Sequence, residues 1–485
     1  MAIYIYNTLT RQKEEFLPRE PGRAGMYVCG VTPYAPAHVG HARSAVAFDV
    51  VRRWLLHRGY QVTFVYNLTD VEDKIFAASR REGRDWKELA EAYAEQYLTE
   101  MQALAVLPPT HLPRASEHIP EILALVKQLV ATGHAYPVDG DVAFQVSSFP
   151  EYGKLSRRDL DQQIVGARVE EDVRKRDPRD FFLWKAAKPG EPAWESPWGM
   201  GRPGWHIECS AMSAKYWGDG FDIHGGGADL IFPHHENEIA QSEAGAGKLL
   251  ARYWMHNGMI NVVRDEASGD PEKMAKSIGN VRGLRETINR VGGPALRYYC
   301  VAAHYRSDMP FSDSALEQAA AALERLRIGK QTLDRLIQNA ADKPTGSDLD
   351  ELQDIAARAY ADFEEAMDDD FSTPRALAAL HGLVTSANRL GASAGAGFSV
   401  SERGRQALLL ARDALLSLAS VLGLALDTEP TAHGLAEDLI RLLIDLRQQA
   451  RGAGQYGLAD MIRARLAELG IVLEDRPEGT APRRG

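Results

Sequence analysis

The sequence predicts an α/β protein built on a Rossmann-like parallel sheet. That nucleotide-binding domain is split by an insertion and is followed by a helical bundle and a small C-terminal domain. Three observations support this prediction. A strand–helix–strand pattern occupies residues 26–66, a polar and proline-rich stretch interrupts the apolar sequence up to about residue 200, and helical periodicity dominates beyond Ser314.

The first strand–helix–strand unit follows from hydrophobic spacing. Residues 26–28 are apolar and strand-like, and the segment after them repeats apolar side chains at helical intervals, at positions 47, 50, 51, 54 and 55. Gly59 is placed to end that helix, and the apolar run 62–66 is typical of a strand buried on both faces. The unit predicts a parallel sheet whose ligands bind at the carboxyl ends of the strands.

Changes in composition give the boundaries of the other segments. A hairpin is predicted around the turn Asp139-Gly140, inside a segment that we interpret as the insertion. The helical pattern beyond Ser314 is broken at residues 343–348, 391–397 and 427–434. The predicted segments are the first half of the nucleotide fold (1–119), the insertion (120–200), the second half (201–260), a region with a lysine-rich loop (261–314), the helical bundle (315–426) and the small C-terminal domain (435–485).

Composition restricts the class of protein. The chain has 485 residues, of which 45% are hydrophobic, and no apolar run approaches the roughly 18 residues of a membrane span. No membrane partner is expected. A signal-peptide pattern is not seen at the N-terminus, so the expected location is the cytoplasm, where Cys29, Cys209 and Cys300 would be reduced. The net charge of −11 argues against bulk, non-specific nucleic-acid binding, although local basic patches could hold a folded RNA.

The motif His38-Val39-Gly40-His41 predicts a phosphate-binding site. It lies where the first strand leads into the first helix, and a helix N-terminus has unpaired backbone N–H groups that favour an anion. Gly40 allows a nucleotide to approach the backbone closely, and both imidazoles can donate to phosphate oxygens as a transition state forms. Two surface histidines at a helix start are the alternative interpretation.

The motif Lys273-Met274-Ala275-Lys276-Ser277 predicts a second group of phosphate contacts. Lys273, Lys276 and Ser277 can converge on phosphate, whereas two lysines in a loop are otherwise a solvated charge run. Together with the histidine motif, the loop would hold ATP from two sides. Such an arrangement suits attack on the α-phosphate, because negative charge builds up on the leaving pyrophosphate.

A third set of residues has the chemistry of a metal site. His234 and Glu238 would share a helical face, but His235 also lies three residues from Glu238, so spacing does not choose between the histidines. Cys29 and Cys209 would complete a chemically reasonable zinc set of two thiolates, one imidazole and one carboxylate. Core cysteines and a surface His and Glu are the competing interpretation, because the spacing is not that of a CxxC pair.

Taken together, these motifs resemble class I cysteinyl-tRNA synthetases, nearly from end to end of the chain. The segments that carry the resemblance are Tyr27-Val28-Cys29-Gly30, the histidine motif, Asn67-Leu68-Thr69-Asp70, Gly204-Trp205-His206-Ile207-Glu208-Cys209, His224-Gly225-Gly226, Phe232-Pro233-His234-His235-Glu236-Asn237-Glu238 and the lysine motif. The resemblance implies that cysteine and ATP, with Mg²⁺, form cysteinyl-adenylate. The cysteinyl group is then transferred to the 3′-terminal adenosine of cysteine tRNA.

The resemblance also implies roles for individual residues. It puts one zinc ion on Cys29, Cys209, His234 and Glu238, and so chooses His234 over His235. Zinc prefers sulfur ligands, whereas an apolar pocket separates near-isosteres such as cysteine and serine only by roughly 10–200-fold. The other implied roles are catalysis by His38, His41, Lys273 and Lys276, ATP binding by Gly40, His41, Lys276 and Ser277, and cysteine binding by Cys29, Thr69, Trp205, His206, His224 and Asp229.

By the same resemblance, residues 261–314 would contact the tRNA stem and residues 435–485 would bind the anticodon, in a monomeric protein. The chain departs from the family pattern in three places: Ala275 replaces a serine, Val31-Thr32-Pro33-Tyr34 reorders the commoner Pro-Thr-Val-Tyr, and Ala481 stands where a tryptophan is common. Two alternatives were weighed. A ligase that joins cysteine to a small amino-sugar is disfavoured by the C-terminal domain, and a non-catalytic RNA-binding paralogue is disfavoured by the intact motifs.

Overall fold

The computed structural model describes most of the chain. The described residues are 2–157, 173–218, 220–247, 249–263, 271–273, 282–394, 398–427, 432–452, 454–469, 471–476 and 479–484. The chain divides into two compact units, Met1–Leu424 and Ala425–Gly485. Lys276 and Ser277 lie outside the described residues, and of Lys273 only the backbone is described.

The first unit alternates strands and helices in its first half and is mostly helical in its second. Its strands are β1 (Tyr4–Asn7), β2 (Gln12–Glu15), β3 (Arg23–Val31), β4 (Gln61–Leu68), β5 (Ala135–Val138), β6 (Asp141–Phe144), β7 (Phe181–Ala186), β8 (Gly201–Pro203), β9 (Phe221–Gly227), β10 (Ala251–Asn257), β11 (Ile260–Val263), β12 (Pro271–Lys273), β13 (Met309–Phe311), β14 (Ala341–Ser347) and β15 (Ser399–Val400). Its helices are α1 (Val39–His57), α2 (Asp73–Glu82), α3 (Trp86–Ala103), α4 (Ile119–Ala131), α5 (Trp205–Tyr216), α6 (Glu236–Ala246), α7 (Leu284–Val291), α8 (Gly293–Val301), α9 (Asp313–Asn339), α10 (Asp350–Asp368), α11 (Thr373–Ser393) and α12 (Glu402–Val421).

A parallel sheet with the strand order β10-β9-β3-β4 forms the centre of this unit. The chain passes from β3 to β4 on one side and later returns to β9 on the other side of β3. The strand order therefore reverses between β3 and β9, and in such sheets ligands bind at the carboxyl ends of the strands beside that reversal. The predicted Rossmann-like sheet is confirmed.

Helix α1 carries the histidine motif to this end of the sheet. His38 is its N-cap residue with extended backbone, and Gly59, at φ +86°, follows its last turn as the sequence predicts. The helix buries Val46, Val50 and Trp54, which are at most 2% exposed. Its N-terminus follows β3 after residues 32–38, and the positive end of the helix dipole at this point favours an anion.

A second, antiparallel sheet with the order β5-β6-β7-β8 lies between the two halves of the parallel sheet in sequence. The predicted turn Asp139-Gly140 joins β5 to β6, with both residues at positive φ. The segment expected to be the insertion, 120–200, contains most of α4 and the strands β5 to β7. Its core is shared with α5 and α6, so the insertion packs on two helices that carry site residues.

Helices α9 to α12 pack on one another and form the predicted C-terminal helical region of the first unit. Residues 343–348 were predicted to interrupt the helical pattern. The structure has a strand at this place, because residues 341–347 form β14, which pairs in parallel with β15. The extended backbone of this segment is satisfied by a distant strand, and local sequence does not reveal such a partner.

The second unit is a small helical pair with a hairpin. It comprises α13 (Ala432–Gly452), α14 (Tyr456–Glu468), β16 (Ile471–Arg476) and β17 (Gly479–Arg484). Ile444, Leu466 and Leu473 form its buried core. Across the described parts of both units, no helix combines the length and the apolar character that crossing a membrane requires.

Candidate active site

Four residues from three parts of the first unit meet beside the end of β3. Cys29 lies near the end of that strand, Cys209 lies in α5, and Glu238 lies in α6. His234 belongs to the π-helical turn Ile231–His235 that precedes α6. We call Cys29, Cys209, His234 and Glu238 the metal cluster, because their ligand atoms all lie within 4.8 Å of one another.

The metal cluster is compact and buried. The two sulfur atoms, Sγ of Cys29 and Sγ of Cys209, are 3.8 Å apart, too far for a disulfide bond. Oε1 of Glu238 lies 3.4 Å from Sγ of Cys29 and 3.0 Å from Nε2 of His234. Cys29 is 7% exposed and the other three residues at most 1%. Two soft donors, one imidazole and one carboxylate form a set that could hold a metal ion.

The local structure before α6 differs from the expected single helix. The backbone of Phe232 is extended, at φ −137° and ψ 132°, and the α-helix begins only at Glu236. His234 therefore precedes the helix instead of lying in its first turn. The π-helical turn nevertheless brings His234 to the carboxylate of Glu238.

A second set of side chains overlaps the metal cluster. Its members, whose ligand atoms are equally close, are Cys29, His224, His235 and Glu238. His235 lies farther from Glu238 than His234 does, with 3.9 Å between Nε2 and Oε1. Its Nδ1 is instead 2.8 Å from Nε2 of His256, whose Nδ1 is 2.8 Å from the hydroxyl of Thr8. This hydrogen-bonded chain fixes the ring of His235, and the shorter contact with Glu238 favours His234 as the ligand.

The surroundings lower the pKa of two members of the metal cluster, Glu238 and Cys209, and raise the pKa of the other two, Cys29 and His234. Burial raises the pKa of Cys29 well above its usual range, whereas the hydrogen bond from Cys29 lowers the pKa of Cys209 to about 6. Burial alone would raise the pKa of Glu238, but His224 and His234 hold it well below its usual range. Burial alone would lower the pKa of His234, but mainly Glu238 raises it to about 10. A metal ion would displace protons from His234 and Cys29.

Most residues expected to bind the amino acid surround the metal cluster. The ring of Trp205 stacks on that of His234, with centroids 4.4 Å apart, and Nδ1 of His206 is 3.0 Å from Nδ1 of His234. Nε2 of His224 is 2.9 Å from Oε2 of Glu238. These contacts make Trp205, His206 and His224 neighbours of the cluster.

Thr69 and Asp229 occupy two different settings. Thr69 is buried just after β4, where its backbone N–H donates to the carbonyl of Val31 at 3.0 Å. Asp229 is exposed in the short turn Ala228–Leu230 that follows β9. Both residues follow strands of the parallel sheet at their carboxyl ends, as the fold prediction requires.

The imidazoles of the histidine motif form a stacked pair at the start of α1. The rings of His38 and His41 are 3.8 Å apart between centroids and 20° from parallel. The backbone N–H of His38 donates to Nδ1 of His41 at 3.1 Å. The stack presents both rings at the helix N-terminus, where phosphate oxygens would be favoured.

Residues 282–284, which come after the lysine motif in the sequence, lie beside the histidine motif. The backbone N–H of Val39 donates to the carbonyl of Arg282 at 3.2 Å, and that of Leu284 donates to the carbonyl of Ala37 at 2.9 Å. His38 and Gly283 form an antiparallel β-bridge. Residues 282–284, the described residues that follow the loop, are therefore fixed to the start of α1.

Asn67 was given no role in the sequence analysis, but its side chain connects the end of β3 with Thr69 and Cys209. Its side-chain oxygen accepts from the backbone N–H of Gly30 at 2.9 Å and lies 3.8 Å from Sγ of Cys209. Its amide nitrogen donates to Oγ1 of Thr69 at 3.2 Å. An asparagine at the end of a buried strand was the available signal, because a buried amide needs polar partners.

Comparisons with known proteins match this chain to one enzyme family over nearly its whole length. The family model described as tRNA synthetases class I (C) catalytic domain matches residues 15–321, and a DALR domain matches residues 362–427. A cysteine--tRNA ligase from Heliobacterium modesticaldum is 48% identical over 99% of both chains, and one from Desulfitobacterium hafniense is 47% identical over 99% of both. A structure of Mycobacterium tuberculosis methionyl-tRNA synthetase, bound by methionyl-adenylate, matches with a TM-score of 0.60 and 17% identity, covering 82% of this chain and 92% of that one.

The structural likeness to the methionyl enzyme supports the fold, and the two relatives support the family. The matched catalytic domain spans the parallel sheet, the histidine motif and the metal cluster. Together with the DALR domain, it implies that the substrates are an amino acid, ATP and tRNA. The chain belongs to the cysteine--tRNA ligase family of class I aminoacyl-tRNA synthetases.

Proposed function

We propose that the metal cluster holds one Zn²⁺ ion and that this ion selects cysteine by its thiol. The observation that carries the proposal is the pair of free, buried cysteines with sulfur atoms 3.8 Å apart. Two thiolates in a tetrahedral set with zinc–sulfur bonds of about 2.3 Å would be separated by about 3.8 Å. The imidazole of His234 and the carboxylate of Glu238 complete a donor set that suits zinc.

The surroundings of the metal cluster suit a small thiol substrate. When bound, zinc would supply a Lewis acid that prefers sulfur to oxygen and favours the deprotonated thiol. Trp205 fixes the ring of His234 by stacking, and His224 fixes the carboxylate of Glu238. Thr69 and Asp229 are the proposed contacts of the amino acid backbone, with Asp229 as the partner of its ammonium group.

The histidine motif and the lysine loop are proposed to activate the amino acid. His38 and His41 would donate to the phosphates of ATP at the N-terminus of α1, beside the backbone of Gly40. Lys273, Lys276 and Ser277 would contact the same phosphates, and Mg²⁺ would accompany ATP. Support comes from the hydrogen bonds that fix residues 282–284 to the start of α1. Each positioned donor of this kind contributes typically about 10²–10³ in rate.

The second step would transfer the cysteinyl group from the adenylate to the 2′-hydroxyl of the terminal adenosine of cysteine tRNA, with release of AMP. Residues 261–314 are proposed to contact the tRNA stem and residues 435–485 the anticodon. A monomer in the cytoplasm is the proposed working state. The departures at Ala275 and Ala481 remove one hydroxyl and one indole but none of the proposed metal ligands.

Replacing Cys209 by serine tests the proposed zinc site. We expect Cys209→Ser to lose bound zinc and, with it, most of the preference for cysteine over serine in amino-acid-dependent ATP–pyrophosphate exchange. The matched control is Cys300→Ser, because Cys300 is equally buried but lies in α8, outside the metal cluster. The measurements are zinc content per chain and the exchange rates with each amino acid. Stoichiometric zinc in Cys209→Ser would contradict the proposal.

A further inference from the structure

A buried carboxylate on α6 holds a segment of the insertion against the metal cluster. The backbone N–H groups of Gly153, Leu155 and Ser156 donate to the carboxylate of Glu236 at 3.0, 3.3 and 2.7 Å. We call these three hydrogen bonds the Glu236 clamp. Glu236 stands midway between two proposed metal ligands, His234 and Glu238, in the sequence.

The Glu236 clamp is a built feature rather than a surface contact. Glu236 is 0% exposed, and a buried carboxylate is costly unless hydrogen bonds replace its water. Hydrogen bonds to an ionised acceptor are roughly twice as strong as neutral ones, so three of them fix the backbone firmly. A second tie acts beside it, because the hydroxyl of Tyr152 donates to Oδ1 of Asn237 at 2.5 Å.

The clamped segment forms part of the wall around the two sulfur atoms. Leu155, between two of the clamped N–H groups, is 0% exposed and packs in one buried hydrophobic cluster with Cys29 and Cys209. An apolar wall beside metal ligands controls how water reaches them and how strongly charges interact there. The clamp therefore connects the insertion, the ligand-bearing helix and the surroundings of both thiols.

We propose that Glu236 is a positioning residue for the metal cluster. It fixes residues 152–156 against α6, keeps Leu155 over the cysteine sulfurs and holds the segment between His234 and Glu238 in its working orientation. The inference rests on the proposed zinc site, and it adds that the insertion helps to shape that site. Glu236 itself touches neither metal nor substrate.

Loss of the Glu236 clamp should affect the metal and the amino acid more than the nucleotide. Partners that orient metal ligands from behind typically change metal affinity by about 10–100-fold. For Glu236→Gln we expect a loss of zinc affinity in that range, a raised KM for cysteine and an unchanged KM for ATP. The histidine motif is fixed by α1 and by residues 282–284, whereas the described hydrogen bonds of the Glu236 clamp come from residues 153, 155 and 156.

The experiment compares Glu236→Gln with Glu243→Gln in the full-length protein. Glu243 also lies on α6 and pairs with Lys154 of the same segment, but through a side chain and not through backbone N–H groups. Zinc affinity is measured by competition with a chromophoric chelator. The thiolate-to-metal absorption band of the cobalt-substituted protein then reports the geometry at the two sulfurs.

The expected result is a weakened zinc affinity and an altered cobalt band for Glu236→Gln, with both near the wild-type value for Glu243→Gln. Equal behaviour of the two variants would overturn the positioning role. If Glu236→Gln does not fold, Glu236→Asp decides, because the shorter side chain keeps the charge but withdraws the acceptor from the three backbone N–H groups. An unchanged zinc affinity in Glu236→Asp would overturn the inference, and a loss would support it. A wild-type protein that binds no zinc would overturn the proposed zinc site as well.

Discussion

Because Gly40 has no Cβ atom, it determines how the two imidazoles of the histidine motif can pack. A Cβ atom at this position would lie 2.9 Å from Cε1 and from Nδ1 of His38. Atoms of that kind essentially never approach so closely, so the His38 ring would have to shift from its present position on His41. The glycine therefore serves the arrangement of the imidazoles as well as access to the backbone.

We expect Gly40→Ala to reduce ATP–pyrophosphate exchange about 10–100-fold, although no polar group is removed. The reason is that displacing a positioned group by about 1 Å can cost about 10²-fold in rate. Gly283→Ala is the control, since a Cβ there would meet only ordinary contacts at 3.7 Å and beyond. Exchange that is equally fast in both variants would show that the stack does not matter for catalysis.

Residue types and spacing predicted part of the site, and three-dimensional contacts supplied the rest. The motifs pointed to Cys29, Cys209, His234 and Glu238, which the structure brings together across 209 positions of sequence. Spacing could not decide whether His234 or His235 is the metal ligand, because both lie within reach of Glu238 along a helix. Glu236 gave no signal of its own: its partners are backbone N–H groups of a distant segment, which no residue-type pattern records.

At the scale of elements, Asp73 joins the nucleotide fold to the insertion. It is the first residue of α2, and its carboxylate pairs with Lys185 of β7 at 3.1 Å and with Arg202 of β8. Burial alone would raise the pKa of Asp73, but Lys185 and Arg202 lower it below its usual value. The ionised carboxylate therefore stabilises the contact between α2 and the antiparallel sheet.

We expect Asp73→Asn to lower the melting temperature at neutral pH and to make no difference in acid. A carboxyl group whose folded pKa is depressed contributes stability above its unfolded pKa of about 3.9, and this contribution is lost as the pH falls through the folded pKa. The measurement is thermal unfolding of both proteins between about pH 3 and pH 8. A constant difference across that range would mean that Asp73 acts through packing and not through its charge.

Elements were predicted where hydrophobic periodicity is strong and missed where a distant partner decides. Strands β3 and β4 and helix α1 have apolar patterns that indicate their type. The polar segment 341–347 has no such pattern, and it is extended because β15 lies beside it. The delayed start of α6 likewise depends on the extended backbone of Phe232, for which the sequence offered only the following proline.

At the scale of the first unit, Arg297 of α8 connects four parts of the chain at one buried point. Its guanidinium donates to the carboxylate of Asp49 in α1 at 2.5 Å, to the carbonyl of Leu104 at 2.9 Å and to the carbonyl of Leu422 at 2.7 Å. Gly423 leaves room for it, since a Cβ there would lie 2.2 Å from the guanidinium carbon. The nucleotide fold and the helical bundle thus share one hydrogen-bonded charge.

We expect Arg297→Met to lower the free energy of unfolding of the first unit by about 3 kcal/mol, because it removes the fully buried partner of Asp49 and leaves that carboxylate with the partly exposed Arg53 as its remaining ion-pair partner among the described residues. The two carbonyl groups would also lose their donor. Arg53→Met is the control: Arg53 binds the same carboxylate at 2.7 Å from a partly exposed position, so its removal leaves the Arg297 pair intact and should cost less. Urea denaturation followed by circular dichroism measures both variants. A loss below about 1 kcal/mol for Arg297→Met, or equal losses in the two variants, would show that packing between the helices, and not this shared charge, joins the two parts.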